Sequence, residues 1–285
     1  MIGQKAPDEI RVVTLNLWGQ SGPWERRRAV LIDGLRDVEP DLIASQEAVS
    51  TDDYDQVVDV MGSDMHVVHA RSRQAAGPGI GSGISIATQW AVKAAYEFDL
   101  PRTDRVGEFP ATTLAVEVDV PGAIGRVLFV NHLPAWELDQ EFERGLQAVS
   151  AARCIDELVG GRPVHVVMAG DLDADPDASS IRFWTGRHAL DGLSVCYRDA
   201  WESAHPGEPG HTFTPRNALM APYAPDWPFR RIDYIFVRCA EHAGSTLEIR
   251  RCELLFDEPV GGTWATDHIG VVADLAPRTT AVSSS

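Results

Sequence analysis

Hydrophobic and polar positions follow two different periods along this chain. Apolar residues at three- and four-residue spacing predict helices over residues 24–38, 54–61 and 139–159, and a shorter one over 179–185. Short β-branched or alternating runs predict about ten strands. These runs cover residues 10–17, 41–45, 66–70, 84–87, 92–98, 112–120, 126–130, 164–169, 232–238, 247–255 and 269–275.

The order of these elements indicates the fold class. Strands follow one another with helices inserted, which favours an α/β (α+β) fold of two packed sheets covered by helices. No repeat or linker divides the chain, so we expect one domain over residues 10–276. A polar lead-in (1–9) would precede it, and a disordered Ser-rich tail (277–285) would follow. The segment 203–229 has no clear period and is typical of a functional loop.

Composition narrows the class of protein. The 285 residues are 44% hydrophobic, enough for one large core. No stretch of about 18 apolar residues occurs, so we expect no membrane span and no membrane partner. An apolar signal segment is missing from the N-terminus, which predicts a cytoplasmic protein, and we expect a monomer. The four cysteines form no Cys-x-x-Cys pair, which argues against a zinc or redox motif.

The charge distribution bears on possible substrates. The net charge is −17, with only two lysines against 23 arginines. Such a protein repels a long polyanion unless a local basic patch or bound cations offset the repulsion. Dense basic spots occur at Arg26–Arg28 and at Arg230–Arg231.

The segment 166–176 contains the most distinctive pattern. An unbroken apolar run reaches Gly170 and is followed by Asp171 and Asp173. Two carboxylates at the end of a buried strand are costly unless a cation meets them. The residues alone leave a second interpretation open, a strand end with Asx turns and a helix N-cap.

Polar residues recur at other strand ends and favour the first interpretation. They are Asn16, Glu47, Asn131, His132, Asp233 beside Arg231, Asp267 and His268. Carboxylate and amide oxygens in this number suit Mg²⁺ or Mn²⁺ rather than zinc.

Six motifs in a fixed order between Leu15 and Val271 carry a resemblance. They are Leu-Asn-Leu-Trp, Gln-Glu, Asn-His-Leu, Gly-Asp-Leu-Asp, Arg-Ile-Asp-Tyr and Thr-Asp-His. This set resembles the endonuclease/exonuclease/phosphatase superfamily, which includes deoxyribonuclease I and exonuclease III-like enzymes. The resemblance implies a four-layer sandwich of two mostly antiparallel sheets flanked by helices. It also implies metal-dependent phosphoester hydrolysis where loops from both sheets meet.

The resemblance also implies roles for individual residues. Asn16, Glu47 and Asp267 match the metal site. Asp171 matches the residue that handles the attacking water, and Asp233 the acid that hydrogen-bonds His268. His268 and His132 match positions that neutralise the phosphate.

Four candidates for substrate binding are less specific. Asn131 adjoins His132 in its motif, and Asn16 is a substrate-binding candidate as well as a metal ligand. Asn217 either shapes the substrate pocket or makes a turn. Arg231 either binds a phosphate or is an ordinary surface arginine, and the second interpretation is favoured.

Asp173 departs from the family pattern, which usually has Asn there. An ionised Asp cannot donate a hydrogen bond to phosphate. Two explanations stay open: Asp173 binds a second cation, which we prefer, or it shares a proton with Asp171.

We therefore expect a phosphoester hydrolase that requires Mg²⁺ or Mn²⁺ and acts as an endonuclease-like phosphodiesterase. The first alternative is a phosphatase for a small phosphorylated metabolite, which the acidic charge permits. The second is a catalytically degenerate binding protein, for which the change at Asp173 is the sequence support.

Overall fold

The computed structural model describes residues 2–75, 80–220, 228–240 and 244–278. Within them, twelve strands and five helices succeed one another. In chain order they are β1 (Ile10–Asn16), α1 (Trp24–Val38), β2 (Leu42–Val49), α2 (Gln56–Met61), β3 (His66–Arg73), β4 (Ser82–Thr88), β5 (Val92–Asp99), β6 (Thr112–Val120), β7 (Gly125–Leu133), α3 (Glu141–Val159), β8 (His165–Asp171), α4 (Ser179–Trp184), β9 (Tyr197–Asp199), α5 (Ala200–Ala204), β10 (Asp233–Arg238), β11 (Leu247–Leu255) and β12 (Gly270–Pro277).

The strands form two six-stranded sheets. The first has the order β11-β12-β1-β2-β4-β3, and the second the order β5-β6-β7-β8-β10-β9. Each sheet contains one parallel pair, β1 with β2 and β7 with β8, and in each case a helix connects the two strands. The other pairs are antiparallel, so the two sheets are mixed and mostly antiparallel, as predicted.

Three apolar clusters show why this arrangement is stable. One joins the facing surfaces of the two sheets, through residues such as Val12 and Phe129. A second packs the outer face of the first sheet against α1 and α2, and a third packs the outer face of the second sheet against α3 and α4. The central strands are therefore covered on both faces, which explains their unbroken apolar runs. The predicted sandwich of four layers is confirmed.

The structure also differs from the predicted elements. The short strand β9 and the helix α5 were not predicted, because three and five residues are too few to show a period. Strand β7 continues to Leu133, three residues beyond the predicted end. The predicted disordered tail begins at Pro277, which ends β12, and residues 279–285 lie outside the described part of the chain. None of the described helices is both long and apolar enough to cross a membrane.

Candidate active site

Six of the predicted polar residues meet at one end of the sandwich, between the two sheets. Asn16 ends β1, Asp171 ends β8 and Asp233 begins β10, opposite Asp171 in the antiparallel register. Glu47 lies near the end of β2, and Asp267 and His268 directly precede β12. Side chains at alternate positions of a strand share a face, so Asn16, Asp171 and Asp233 all point toward the opposite sheet.

Asn16 connects the two sheets. Its Nδ2 atom lies 3.0 Å from Glu47 Oε1 and 3.0 Å from Asp171 Oδ2, and it donates to both. Its Oδ1 atom accepts a hydrogen bond of 2.9 Å from the Trp18 backbone N–H. The amide is 1% exposed, so these contacts fix its orientation. One side chain thus sets the relative positions of a carboxylate from each sheet.

His268 lies between two carboxylates of the second sheet. Its Nδ1 atom is 3.1 Å from Asp233 Oδ2, and its Nε2 atom is 3.7 Å from Asp171 Oδ2. Burial alone would lower the pKa of His268, but Asp233 and Asp171 outweigh burial and raise this pKa well above its ordinary value. Burial raises the pKa of Asp233 to about 6, partly offset by His268. At neutral pH the pair is therefore an imidazolium beside a carboxylate.

Glu47 occupies an unusual backbone position. Its φ is 51°, and the pairing of β2 with β4 shifts register between Ser45 and Ala48. This β-bulge turns the Glu47 side chain toward Asn16. Burial, followed by repulsion from Asp267, raises the pKa of Glu47 to about 7. A bound cation favours the charged form of a half-buried carboxylate in this environment.

The Gly170–Asp173 segment is shaped by a close backbone approach. A Cβ at Gly170 would lie 2.1 Å from the carbonyl oxygen of His132 on β7, so glycine is required there. Asp173 has a φ of 49°, and its N–H lies 3.3 Å from Asp171 Oδ1. Burial, followed by repulsion from Asp171, raises the pKa of Asp173 well above its ordinary value. The negative charge on Asp173 is therefore disfavoured.

His132 is placed differently from the prediction. Strand β7 includes it, and alternation along the strand puts Asn131 on the inner face and His132 on the outer face. There its Nδ1 is 2.8 Å from Thr113 Oγ1, and its ring packs edge-on against Trp184 at 5.7 Å. Burial lowers the pKa of His132 to about 3. His132 therefore lies on the opposite face of β7 from the cluster between the sheets, and its role at the phosphate stays a prediction.

Three predicted substrate-binding residues also use their polar atoms within the protein. Asn131 Nδ2 donates to the carbonyl oxygens of Ser45 and Ser85, both at 2.9 Å, and so joins the two sheets. Asn217 Nδ2 donates to the carbonyl oxygens of Thr266 and Asp267 and holds the segment before β12. Arg231 forms a buried ion pair with Asp199 at 2.6 Å, which ties β9 to the start of β10. Their geometry indicates support of the site rather than substrate binding.

Two further residues, Thr212 and Arg27, support the site, and sequence reasoning missed the burial of Arg27. Thr212 Oγ1 accepts hydrogen bonds from the N–H groups of Ile232 and Asp233, at 3.0 and 3.1 Å, and orients the start of β10. Arg27, noted in the sequence only as part of a basic cluster, is fully buried beside the site. Its spacing from Leu31 and Leu35 on the apolar face of α1 is the signal that could have revealed its burial.

The donor set fits a divalent cation. Ligand atoms of Asp171, Asp233 and His268 lie within 4.8 Å of one another, so this group could hold a metal ion. Glu47 and Asn16 adjoin it through the amide contact to Asp171. Five carboxyl groups accompany one imidazole at this site, those of Glu47, Asp171, Asp173, Asp233 and Asp267. Hard oxygen donors of this kind suit Mg²⁺ and Mn²⁺.

The fold and part of the sequence have counterparts among known proteins. The family model described as "Endonuclease/Exonuclease/phosphatase family" matches residues 13–268. No curated protein matches the sequence significantly.

Three solved structures illustrate the similarity in fold. The human Nocturnin catalytic domain with bound sulfate has a TM-score of 0.73 at 14% identity, covering 96% of this chain and 97% of that one. TDP2 from D. rerio, complexed with a single-strand DNA product, has a TM-score of 0.71 at 18% identity, covering 94% and 98%. An endonuclease/exonuclease/phosphatase from Bacteroides vulgatus has a TM-score of 0.68 at 19% identity, covering 95% and 99%. The family match and this shared sandwich lead to one conclusion: the chain belongs to the endonuclease/exonuclease/phosphatase family, whose members are phosphoester hydrolases.

Proposed function

We propose that this chain is a divalent-metal-dependent phosphodiesterase that cleaves nucleic acid in the manner of an endonuclease. The observation that carries the proposal is the continuous set of contacts from Asp233 through His268, Asp171 and Asn16 to Glu47. This set would supply a proton acceptor, an imidazolium and a cation-binding carboxylate close together, which supports phosphoester hydrolysis.

Glu47, Asn16 and Asp267 would hold Mg²⁺ or Mn²⁺. When bound, the cation supplies charge neutralisation at the phosphate and the leaving oxygen. Glu47 and Asp267 suit this role because, within the described part of the chain, neither carboxylate forms a short ion pair with a cationic side chain. Asp233, in contrast, already has the His268 imidazolium as its partner.

The remaining residues act on the water and the phosphate. Asp171 orients the attacking water and accepts its proton, since its carboxylate is fixed by Asn16 and by the Asp173 N–H. The His268 imidazolium donates a hydrogen bond to a phosphoryl oxygen and stabilises the charge that develops there. Asp233 keeps the imidazole protonated and correctly oriented.

Two observations bear on the substrate class. TDP2 from D. rerio holds a single-strand DNA product, which favours a nucleic-acid diester. The net charge of −17 disfavours a long polyanion and supports a second candidate, a phosphatase for a small phosphorylated metabolite.

Hydrolysis rates on plasmid DNA, bis-para-nitrophenyl phosphate and para-nitrophenyl phosphate with Mn²⁺ would separate these candidates. We expect both diesters to be cleaved in preference to the monoester, and His268→Ala to abolish the activity. Preference for the monoester would replace the first candidate by the second. Equal inertness of wild type and His268→Ala on every substrate would refute the enzymatic function.

A further inference from the structure

Arg27 is a buried cation beside the candidate site. It lies on α1, is fully buried and has no carboxylate partner at ion-pair distance within the described residues. Its guanidinium instead donates to three backbone carbonyls, those of Leu17, Gly19 and Ser21. Burial lowers the pKa of Arg27 to about 10, so it remains charged at neutral pH. Burying a charge costs free energy, so we ask which part of the structure the contacts of Arg27 hold in place.

The three carbonyls belong to the turn 17–21, which follows β1 and covers Glu47. Gly19 N–H donates to the Glu47 carbonyl oxygen at 3.0 Å, and Trp18 N–H donates to Asn16 Oδ1 at 2.9 Å. The turn therefore holds both the backbone of Glu47 and the amide that orients its carboxylate. Trp18 and Gly19 have φ values of 54° and 46°, so the turn needs external contacts to keep its shape.

Gln56, the first residue of α2, also forms a hydrogen bond to the same turn. Its Nε2 donates to the Gly19 carbonyl oxygen at 2.7 Å, and its Oε1 accepts from the Val49 N–H at 2.8 Å. Arg27 also donates to the Gly19 carbonyl oxygen, at 3.2 Å. Two fully buried side chains from two helices thus meet at the carbonyl of Gly19, the residue whose N–H contacts the Glu47 backbone.

Glu47 depends on this support because of its own backbone conformation. A φ of 51° is rare for residues other than glycine, and it persists where the surroundings enforce it. Loss of the turn would allow the bulge at Glu47 to relax toward regular strand geometry. The carboxylate would then leave its position beside Asn16.

We propose that Arg27 is a positioning residue for cation binding: by holding the carbonyls of the turn 17–21, it fixes the Glu47 carboxylate and the Asn16 amide in the arrangement a divalent cation requires. The inference rests on the proposed function, which places the cation at Glu47. Residues that support metal ligands in this way typically change metal affinity by about 10- to 100-fold when substituted.

The test is the Mn²⁺ dissociation constant, measured by the electron paramagnetic resonance signal of free Mn²⁺ below the melting temperature of every variant. Arg27→Met should weaken binding by about 10- to 100-fold. Arg27→Lys should recover little of this loss, because a single ammonium group cannot span three carbonyls. Arg11→Lys is the matched control. Arg11 is equally buried at the opposite end of β1 and pairs with Asp274, so this variant should lower the melting temperature and bind Mn²⁺ like the wild type.

Each alternative outcome has a distinct meaning. Wild-type Mn²⁺ affinity in Arg27→Met, with only a lower melting temperature, would show a purely structural role and overturn the inference. Full recovery in Arg27→Lys would show that charge alone matters, which also overturns it. No Mn²⁺ binding by the wild type would overturn the proposed function together with the inference. If Arg27→Met does not fold, Gln56→Met takes its place, and we expect binding about tenfold weaker.

Discussion

Two strand–helix–strand units of this molecule are built alike, yet they contribute different chemistry to the candidate site. The first unit is β1-α1-β2 and the second is β7-α3-β8, each with its two strands parallel. In both, an asparagine near the end of the first strand reaches the other sheet: Asn16 contacts Asp171, and Asn131 contacts two carbonyls of β2 and β4. In both, the second strand leads to an acid, Glu47 or Asp171.

The connecting helices repeat this similarity. Arg27 on α1 holds the carbonyls of the turn after β1. Arg144 on α3 is also buried, and it donates to the carbonyls of Ala135, Glu137 and Leu138, which follow β7. Each unit thus fixes the loop at the site end of its first strand with one buried guanidinium.

The difference lies in the two acids. Glu47 sits on a bulge with a positive φ and faces a second carboxylate, Asp267. Asp171 ends a regular strand and faces the His268 imidazolium. The first environment suits a cation and the second suits an anion and a water molecule. The two units share their backbone arrangement, and the groups around Glu47 and Asp171 make the surroundings of the two acids different.

The strongest test of this difference exchanges each acid for its amide. Asp171→Asn should reduce kcat by about a thousandfold and leave Mn²⁺ affinity near wild type, because the proposed function makes this residue the proton acceptor rather than a metal ligand. Glu47→Gln should weaken Mn²⁺ binding by about a hundredfold, with activity partly restored at high Mn²⁺. Turnover and Mn²⁺ titration of both variants check this. If Asp171→Asn weakens Mn²⁺ binding more than Glu47→Gln does, the cation is bound by the group of Asp171, Asp233 and His268. The second unit, and not the first, would then supply the metal ligand.

A second test concerns the backbone of the second unit. Gly170→Ala places a Cβ 2.1 Å from the His132 carbonyl oxygen and should destabilise the protein by about 3 kcal/mol, since neither backbone can move freely. Gly145→Ala, within α3, is the control: outside the helix backbone the new Cβ would meet Leu190 Cδ1 at an ordinary contact distance of 3.5 Å, and the change should stabilise by about 0.5–1 kcal/mol. Urea unfolding of both variants measures the difference. A neutral Gly170→Ala would mean that β7 and β8 can separate at this end.

The fold was predictable because strands that are buried on both faces have a distinctive apolar pattern in the sequence. Val12 to Leu15 is apolar apart from Thr14, since β1 is covered on both faces. Polar residues that interrupt such runs stand out, which is why Asn16, Glu47 and Asp171 were identified. Strand β9 (Tyr197–Asp199) shows no such pattern, because it has only three residues.

The differences between the predicted and the observed surroundings of the site come from the length of one strand and from contacts distant in sequence. The pattern placed the end of β7 at residue 130, whereas the strand includes Asn131 and His132 and turns them to opposite faces. Arg231 and Asn217 were candidates for substrate binding because their partners, Asp199 and the carbonyls before β12, lie 32 and about 50 residues away. A local pattern contains no information about such partners.

The pH dependence of stability offers a smaller test of the first unit. In metal-free protein, the pKa of Glu47 is raised from 4.5 to about 7. The folded state therefore holds this proton more tightly than the unfolded chain does. The resulting stability is fully present below pH 4.5 and is lost as the pH rises through about 7. Melting temperatures in EDTA from pH 4.5 to 9 should fall less steeply for Glu47→Gln, and added Mn²⁺ should reduce the fall in the wild type. An equal slope in Glu47→Gln would show that Glu47 is already ionised.

The smallest expected effect is at Asp173, the acid that the second unit adds beyond Asp171. Asn tolerates the φ of 49° and carries no charge beside Asp171. Asp173→Asn should therefore raise stability at pH 8 by about 1 kcal/mol, and change kcat/KM by less than about tenfold. The raised pKa of Asp173 makes its stabilising contribution greatest at low pH, so the gain in Asp173→Asn should shrink at pH 5, which serves as the internal control. Asp173 is not part of the group that could hold a metal ion among the described residues, and Mn²⁺ stoichiometry should stay unchanged. Loss of a bound Mn²⁺ would instead identify Asp173 as a ligand for a second cation.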